Sequence, residues 1–327
     1  MKFSMVSGAA FTGKISGEPD NVFGWISALD GYHFHINKIR DNFSPLYEFD
    51  AVLMVDVSRW ADDALRLVSK KSKAKFIFYP EAGDEMYFRQ AFEKQKLYCE
   101  ILKEVDLIGC ADEDWIDFYN SLFGNKAFFM HVPMSKSVMT CEYWRDWQSK
   151  NDTVLVCCNL GMDENRYVTN LIKCFAAIRR SQVNVYFVGL PEDHAEFLHS
   201  FFKIDFGFVS SYMTAPQYVD KYVSRHLCLL NLSDLIGTSR NSIVGASCGT
   251  PVIGNIKSHT QRRLFPDLAV DPLNTEKISM LIQKLIKDKE YYAHVCAQAK
   301  EKLPYYSTEN ALRRFNEALK SKEAIQA

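Results

Sequence analysis

Apolar positions in the first half of the chain fall into short runs separated by stretches of helical periodicity. Runs at 2–7, 32–37, 51–56, 75–79, 106–110 and 127–131 read as strands, with helices at 62–69 and 88–103 between them. Strands alternating with helices are the signature of βαβ units and a parallel sheet. The polar stretch 135–150, rich in Trp and Arg, interrupts this pattern and reads as a linker. A strong strand at 153–158 restarts the pattern. Val168, Leu171, Ile172, Phe175 and Ile178 then fall at i, i+3, i+4, i+7 and i+10, one apolar face of a helix. Strands follow at 184–188, 206–209, 227–232 and 251–254, with helices at 216–224 and 242–248, the latter closed by Gly249. A helix with Ile278, Leu281, Ile282, Leu285 and Ile286 on one face precedes two more helices. There is no short-period repeat and no low-complexity tract.

The pattern predicts an α/β chain of two Rossmann-like domains with parallel sheets. Its length of 327 residues suits two cores of roughly 150 residues each. The boundaries are 1–135 for the first domain, 136–150 for the linker and 151–305 for the second, with a C-terminal helix over 306–327. Apolar residues make up 47 % and charged residues 24 %, which excludes a disordered chain. A formal net charge of −1 gives no general field for nucleic acid or an anionic membrane. No run approaches a membrane span, so no transmembrane segment is expected. The N-terminal apolar residues read as a first strand rather than a signal, because glycine and Lys14 interrupt them early. Nine cysteines without C-x-x-C spacing or a paired His motif argue against disulfides and zinc. A cytoplasmic protein with packed thiols, no metal and no cofactor is the expectation.

Candidate chemistry concentrates where strands turn into helices, because free N–H groups and the helix dipole attract anions there. The segment Asp234-Leu235-Ile236-Gly237-Thr238-Ser239-Arg240-Asn241-Ser242 is such a turn. Gly237 lets backbone approach an anion, Thr238, Ser239 and Ser242 bring hydroxyls, and Arg240 brings a planar fork that matches phosphate. A plain Ser/Thr cap beside a solvated Arg is the competing reading. Glu81 and Asp84 follow the 75–79 strand at the carboxyl end, where ligands bind in open α/β sheets, and for a reaction with inversion of configuration the general base would come from them, whereas retention needs no conspicuous protein base. An acidic loop capping the next helix is the alternative. Gly8, Gly13, Gly17 and Gly24, with Lys14, follow the first strand without Walker spacing, as either a phosphate-approaching loop or a solvated turn. His131 ends the 127–131 strand and is expected to face the cleft, against a structural role. For Tyr143-Trp144-Arg145-Asp146-Trp147, packing of the linker is preferred to stacking on a sugar or base.

The run Ser242-Ile243-Val244-Gly245-Ala246-Ser247-Cys248-Gly249-Thr250-Pro251-Val252-Ile253-Gly254 resembles the helix-then-strand hallmark of family 4 retaining glycosyltransferases, which have the two-Rossmann, GT-B architecture. Residues 159–175, the strand ending in Val188-Gly189, and Val270-Asp271-Pro272 resemble other elements of that family. The likeness covers about 153–319. It implies sheets facing a central cleft and a last helix returning to the first half. It further implies transfer of a sugar from a nucleoside diphosphate sugar, with uridine as the base, to a hydroxyl acceptor with retention of configuration. Arg166 occupies the family's basic position before the first donor-domain helix, so Arg166, Asp234, Gly237, Thr238, Ser239, Arg240 and Ser242 are the implied donor-binding residues. The first half would bind the acceptor, whether glycan, lipid, protein or modified DNA.

The resemblance fails at three positions. Gly161 stands where the family has a second basic residue, and Ile236 and Val244 stand where it has paired glutamates, the second of which holds the donor ribose. Asp234 and Arg240 are placed to take over part of that work. These departures leave open a degenerate binding or scaffold protein. The compact size and missing glutamates are similar to divergent phage glycosyltransferases, some of which modify hydroxymethylated bases in DNA.

Overall fold

The computed structural model describes the backbone of residues 1–8, 12–14, 21–70, 72–80, 85–158, 164–203, 205–210, 215–233 and 239–326, and the side chains of these except 85, 86, 164–169, 215 and 322–326. The chain divides into two units, Met1–Ser135 with Tyr306–Ala327, and Lys136–Tyr305.

The first unit is a parallel six-stranded sheet of β1 (Phe3–Ser7), β2 (Tyr32–His35), β3 (Ala51–Val55), β4 (Lys75–Tyr79), β5 (Leu107–Cys110) and β6 (Ala127–Phe129), ordered β2-β1-β3-β4-β5-β6. Every strand position of β1 and β3 is buried, and alternate residues serve opposite faces. Val52 and Met54 join one core with Tyr87, Tyr98 and Tyr119, against the helices Ala61–Val68, Phe92–Glu104 and Trp115–Phe123. Ala51, Leu53 and Val55 join the other with Trp25 and Phe315. Phe315 comes from the last helix, Thr308–Gln326, and its ring meets Phe3 edge-on at 5.8 Å and Trp25 at 5.3 Å. Complete burial of such a ring contributes about 2–3 kcal/mol, which explains why the end of the chain packs with its beginning.

The second unit repeats the plan with β7 (Asn151–Cys157), β8 (Asn184–Val188), β9 (Gly207–Val209), β10 (His226–Asn231), β11 (Val252–Asn255) and β12 (Ala269–Val270), ordered β12-β11-β10-β7-β8-β9, again parallel. Residues 242–248 of the helix Arg240–Cys248 are all buried. Gly249 ends that helix at φ 68°, in the left-handed region, and an added Cβ would lie 3.0 Å from the Trp144 ring.

Residues 136–150, expected as a linker, pack with this second unit. The Arg145 amide donates to Cys248 O at 3.2 Å, and Trp147 Nε1 donates to Leu285 O at 3.3 Å. Lys150 is buried with its Nζ donating to Ser224 O at 2.8 Å and Thr250 Oγ1 at 2.7 Å, and burial pulls its pKa down to about 8. The aromatic-basic stretch is thus a packed strap.

In the helix Glu164–Ser181 the buried face is Leu171, Cys174, Phe175, Ala177 and Ile178. Ile172, expected on that face, is 53 % exposed. At 100° per residue it lies more than a quarter turn from the face centre. All nine cysteines are free thiols. Burial pushes Cys174, Cys228 and Cys296 up to about 12, so these pack as small hydrophobes. Among the described residues no helix is long and apolar enough to cross a membrane, and no group of three or more His, Cys, Asp or Glu is placed to hold a metal ion.

Candidate functional site

Strand order fixes where a ligand site can form. In the second sheet the chain leaves β7, builds β8 and β9 on one side, then crosses to the other side for β10. Adjacent strands whose connections depart in opposite directions leave a crevice beyond their carboxyl ends, and β7 and β10 are that pair. The helices that follow them are Glu164–Ser181 and Arg240–Cys248. The strand order therefore brings the starts of these two helices, far apart in sequence, to one end of the sheet; Arg166, expected just before the first helix, is the third residue within it. The corresponding switch in the first sheet is between β1 and β3.

Four carboxamides pin the carboxyl ends of these strands. Asn170 Oδ1 accepts from the Leu232 amide at 2.7 Å, and its Nδ2 donates to Cys157 O at 3.4 Å, joining the ends of β10 and β7. Asn255 Nδ2 donates to Ser233 O at 2.9 Å. Asn231 Nδ2 donates to Ser239 Oγ at 3.4 Å. Gln261, from the helix His259–Leu264, is 1 % exposed; its Nε2 donates to Val252 O at 2.7 Å and its Oε1 accepts from Ser242 Oγ at 2.6 Å. Ser239 and Ser242 share a further hydrogen bond of 2.7 Å. Asn170 and Gln261 are each held by more than one bond, as buried amides are, and the Gln261 network fixes Ser239 and Ser242 at the start of the helix. Sequence reading missed all four, because each bond joins different elements, with its ends 8 to 62 residues apart in the chain.

Gly254 makes room for this network. A Cβ there would lie 2.6 Å from Gln261 Oε1 and 2.7 Å from its Cδ. Gly254→Ala should therefore push Gln261 off Ser242 and cost about 1–2 kcal/mol. Chemical denaturation measures this, and an unchanged unfolding midpoint would mean that the amide moves without loss.

The sequence-predicted residues divide as follows. Ser239 and Arg240 are half-buried at the start of the Arg240–Cys248 helix, and Ser242 is fully buried one turn in. Backbone bonds from the Ser242 and Ile243 amides to Ser239 O close the turn. Asp234, Gly237 and Thr238, like Gly17, Glu81, Asp84 and Gly161, lie outside the described residues, as does the side chain of Arg166. Val244, which the resemblance sets in the position of the ribose-holding glutamate, is 5 % exposed and brings no carboxylate.

In the first unit, Gly13 has φ 142° and exchanges backbone bonds with His33, at 2.9 and 3.0 Å. Lys14 Nζ is paired with Asp30 at 2.6 Å, at an exposed position. At the carboxyl end of β1, Ser7 Oγ and His33 Nε2 form a buried 2.9 Å hydrogen bond that sequence reading did not anticipate.

His131 corrects an expectation. It is 0 % exposed, its Nε2 donates to Tyr306 O at 2.8 Å, and its Nδ1 accepts from Arg314 at 2.8 Å. Burial foremost, then the Arg314 charge, lowers its pKa to about 3, only partly offset by the carbonyls of Tyr306 and Ser307. The ring is enclosed among described residues of the first unit and holds the chain where the last helix begins.

Neither a family model nor a curated protein sequence matches the chain. Solved structures do. Sucrose-phosphate synthase from Thermosynechococcus elongatus aligns over 99 % of each chain, with 11 % identity and a TM-score of 0.75. An α-glucosyltransferase solved with UDP and a 13-mer DNA aligns over 98 % of this chain and 99 % of its own, at 10 % identity and TM-score 0.64. S. aureus TarM, solved with fondaparinux, α-GlcNAc-glycerol and UDP, aligns over 82 % of this chain at 13 % identity and TM-score 0.61, and the chain spans 55 % of TarM. The fold is therefore that of the GT-B glycosyltransferases, two parallel α/β sheets each flanked by helices.

Proposed function

We propose that the protein is a glycosyltransferase that moves a sugar from a uridine diphosphate sugar to a hydroxyl acceptor, with retention of configuration. The observation that supports this reading is the strand order of the second sheet, in which β7 and β10 form the switch point and are followed by the helices that begin at Glu164 and Arg240. A diphosphate there meets the first-turn N–H groups of the Arg240–Cys248 helix, its dipole, and two guanidinium forks. Groups fixed in advance around the leaving diphosphate stabilise the negative charge that develops as the glycosidic bond breaks, which is the main electrostatic task of the reaction. The GT-B neighbours crystallised with UDP support uridine as the base.

A second reading rests on Val244, a buried apolar side chain where the resembling family has the glutamate that holds the ribose. It makes the chain a nucleotide-binding protein without turnover. The two readings separate in one assay. Glycosyltransferases hydrolyse donor slowly without acceptor, so incubation with UDP-glucose, UDP-galactose and UDP-N-acetylglucosamine should release UDP from one of them. Thermal stabilisation by UDP without UDP release would establish the binding protein, and no stabilisation by any of the panel would rule out both. For an active enzyme, product mass from glycan, lipid, protein and hydroxymethylated DNA acceptors identifies the acceptor class.

A further inference from the structure

The hydrogen-bond chain behind the first turn of the Arg240–Cys248 helix admits one arrangement of protons. Gln261 Nε2 donates to Val252 O at 2.7 Å and reaches Leu268 O at 3.4 Å, so turning the amide over would set its oxygen against two carbonyl oxygens. Its Oε1 therefore faces Ser242, 2.6 Å away, and can only accept. Ser242 has one hydroxyl proton, and it goes to Gln261. In the 2.7 Å contact between the serines, Ser239 must then be the donor. Asn231 Nδ2 donates to Ser239 Oγ from the other side. A serine before a helix ordinarily turns its oxygen to the amides of the first turn, yet Ser239 makes no such capping bond. Its proton is directed to Ser242 and one lone pair is left over, at a half-buried position at the start of the helix that follows β10.

The diphosphate of a nucleotide sugar, esterified at both ends, has no proton to give at neutral pH and cannot pair with that lone pair. A sugar hydroxyl can. We propose that Ser239 Oγ accepts a hydrogen bond from a hydroxyl group of the nucleotide sugar, and that Gln261 is the positioning residue that sets this polarity through Ser242. The proposal rests on the donor reading above. It corrects the role given to both serines from sequence, since neither hydroxyl donates to phosphate; the anion is left to backbone N–H groups and arginine.

Titration calorimetry with four probes tests it: inorganic diphosphate, 2′,3′-dideoxyuridine diphosphate, UDP and UDP-glucose. Ser239→Ala should weaken a hydroxyl-bearing ligand about fivefold, the worth of one neutral hydrogen bond, and leave inorganic diphosphate unchanged. Ser239→Thr should restore the affinity. A loss seen with UDP and absent with the dideoxy analogue assigns the ribose; a loss confined to UDP-glucose assigns the transferred sugar. Gln261→Met, which frees the serine protons to turn outward, should tighten inorganic diphosphate and narrow its gap to UDP. Should that buried substitution fail to fold, the Ser239 pair decides alone. Equal weakening of diphosphate and nucleotide by Ser239→Ala, or no weakening of any probe, overturns the proposal while the donor site stands. Failure of the wild-type protein to bind any of the four removes the donor reading, and this inference with it.

Discussion

Arg240→Ala is expected to bind uridine diphosphate roughly ten- to a hundredfold more weakly than the wild-type protein, because a charge-assisted hydrogen bond to phosphate is worth about 1.5–3 kcal/mol. Arg240 opens a nine-residue helix after β10, so on the proposed reading its fork and the helix dipole would act on the same anion. The Ser242 hydroxyl is committed to Gln261 and the Ser239 hydroxyl to Ser242, so on that reading neither would replace it. The residue is half-buried and belongs to no core, so the melting temperature should shift by no more than about 2 °C. Arg166→Ala, on the other side of the switch point, should act in the same direction. Calorimetric titration of each variant with UDP measures the effect, and wild-type affinity in both would place the diphosphate elsewhere.

The second large effect concerns acid. His131 is neutral in the folded protein, with its pKa lowered to about 3, whereas in the unfolded chain it takes up a proton near 6.5. Between these values the unfolded state binds a proton that the folded state does not. The stability that His131 contributes is therefore complete above about pH 6.5 and is lost as pH falls toward 3, at up to about 1.4 kcal/mol per pH unit. From pH 7 to pH 5 the wild-type protein should lose about 2 kcal/mol more than His131→Gln, which has no ring to protonate. Denaturant unfolding of both proteins at the two pH values isolates the histidine from the carboxylates they share. Parallel losses would mean that a proton enters the folded site, against its burial and the Arg314 guanidinium held 2.8 Å from Nδ1.

The strands were legible because a parallel sheet covered on both faces needs continuous apolar runs. The predicted 51–56 and 184–188 strands match Ala51–Val55 and Asn184–Val188 within one residue. Short helices escaped notice. Gly24–Ala28, Ile36–Ile39 and His259–Leu264 are too brief to complete the two turns in which periodicity becomes visible. Helix Glu192–Phe202 was hidden for the opposite reason: Phe197 and Phe201 are 58 % and 67 % exposed, so its aromatic residues do not trace one buried stripe.

The site was legible only in its local parts. Spacing between glycine, hydroxyls and arginine marked the 234–242 turn, because a strand, a turn and a helix N-terminus are neighbours in sequence. It could not reveal Gln261, 19 residues beyond Ser242, or Asn170, 62 residues before the Leu232 amide that it holds. His131 looked like a site residue for the same reason; its partners are 175 and 183 residues away. The sequence by itself determined which segments become parallel strands and which are followed by a helix start, since burial on both faces and the change from strand to helix are properties of contiguous residues. Tertiary structure alone decided which turns share a switch point, which way the serine protons run, and that His131 lies inside, because each depends on partners that only the packed sheets bring within hydrogen-bonding distance.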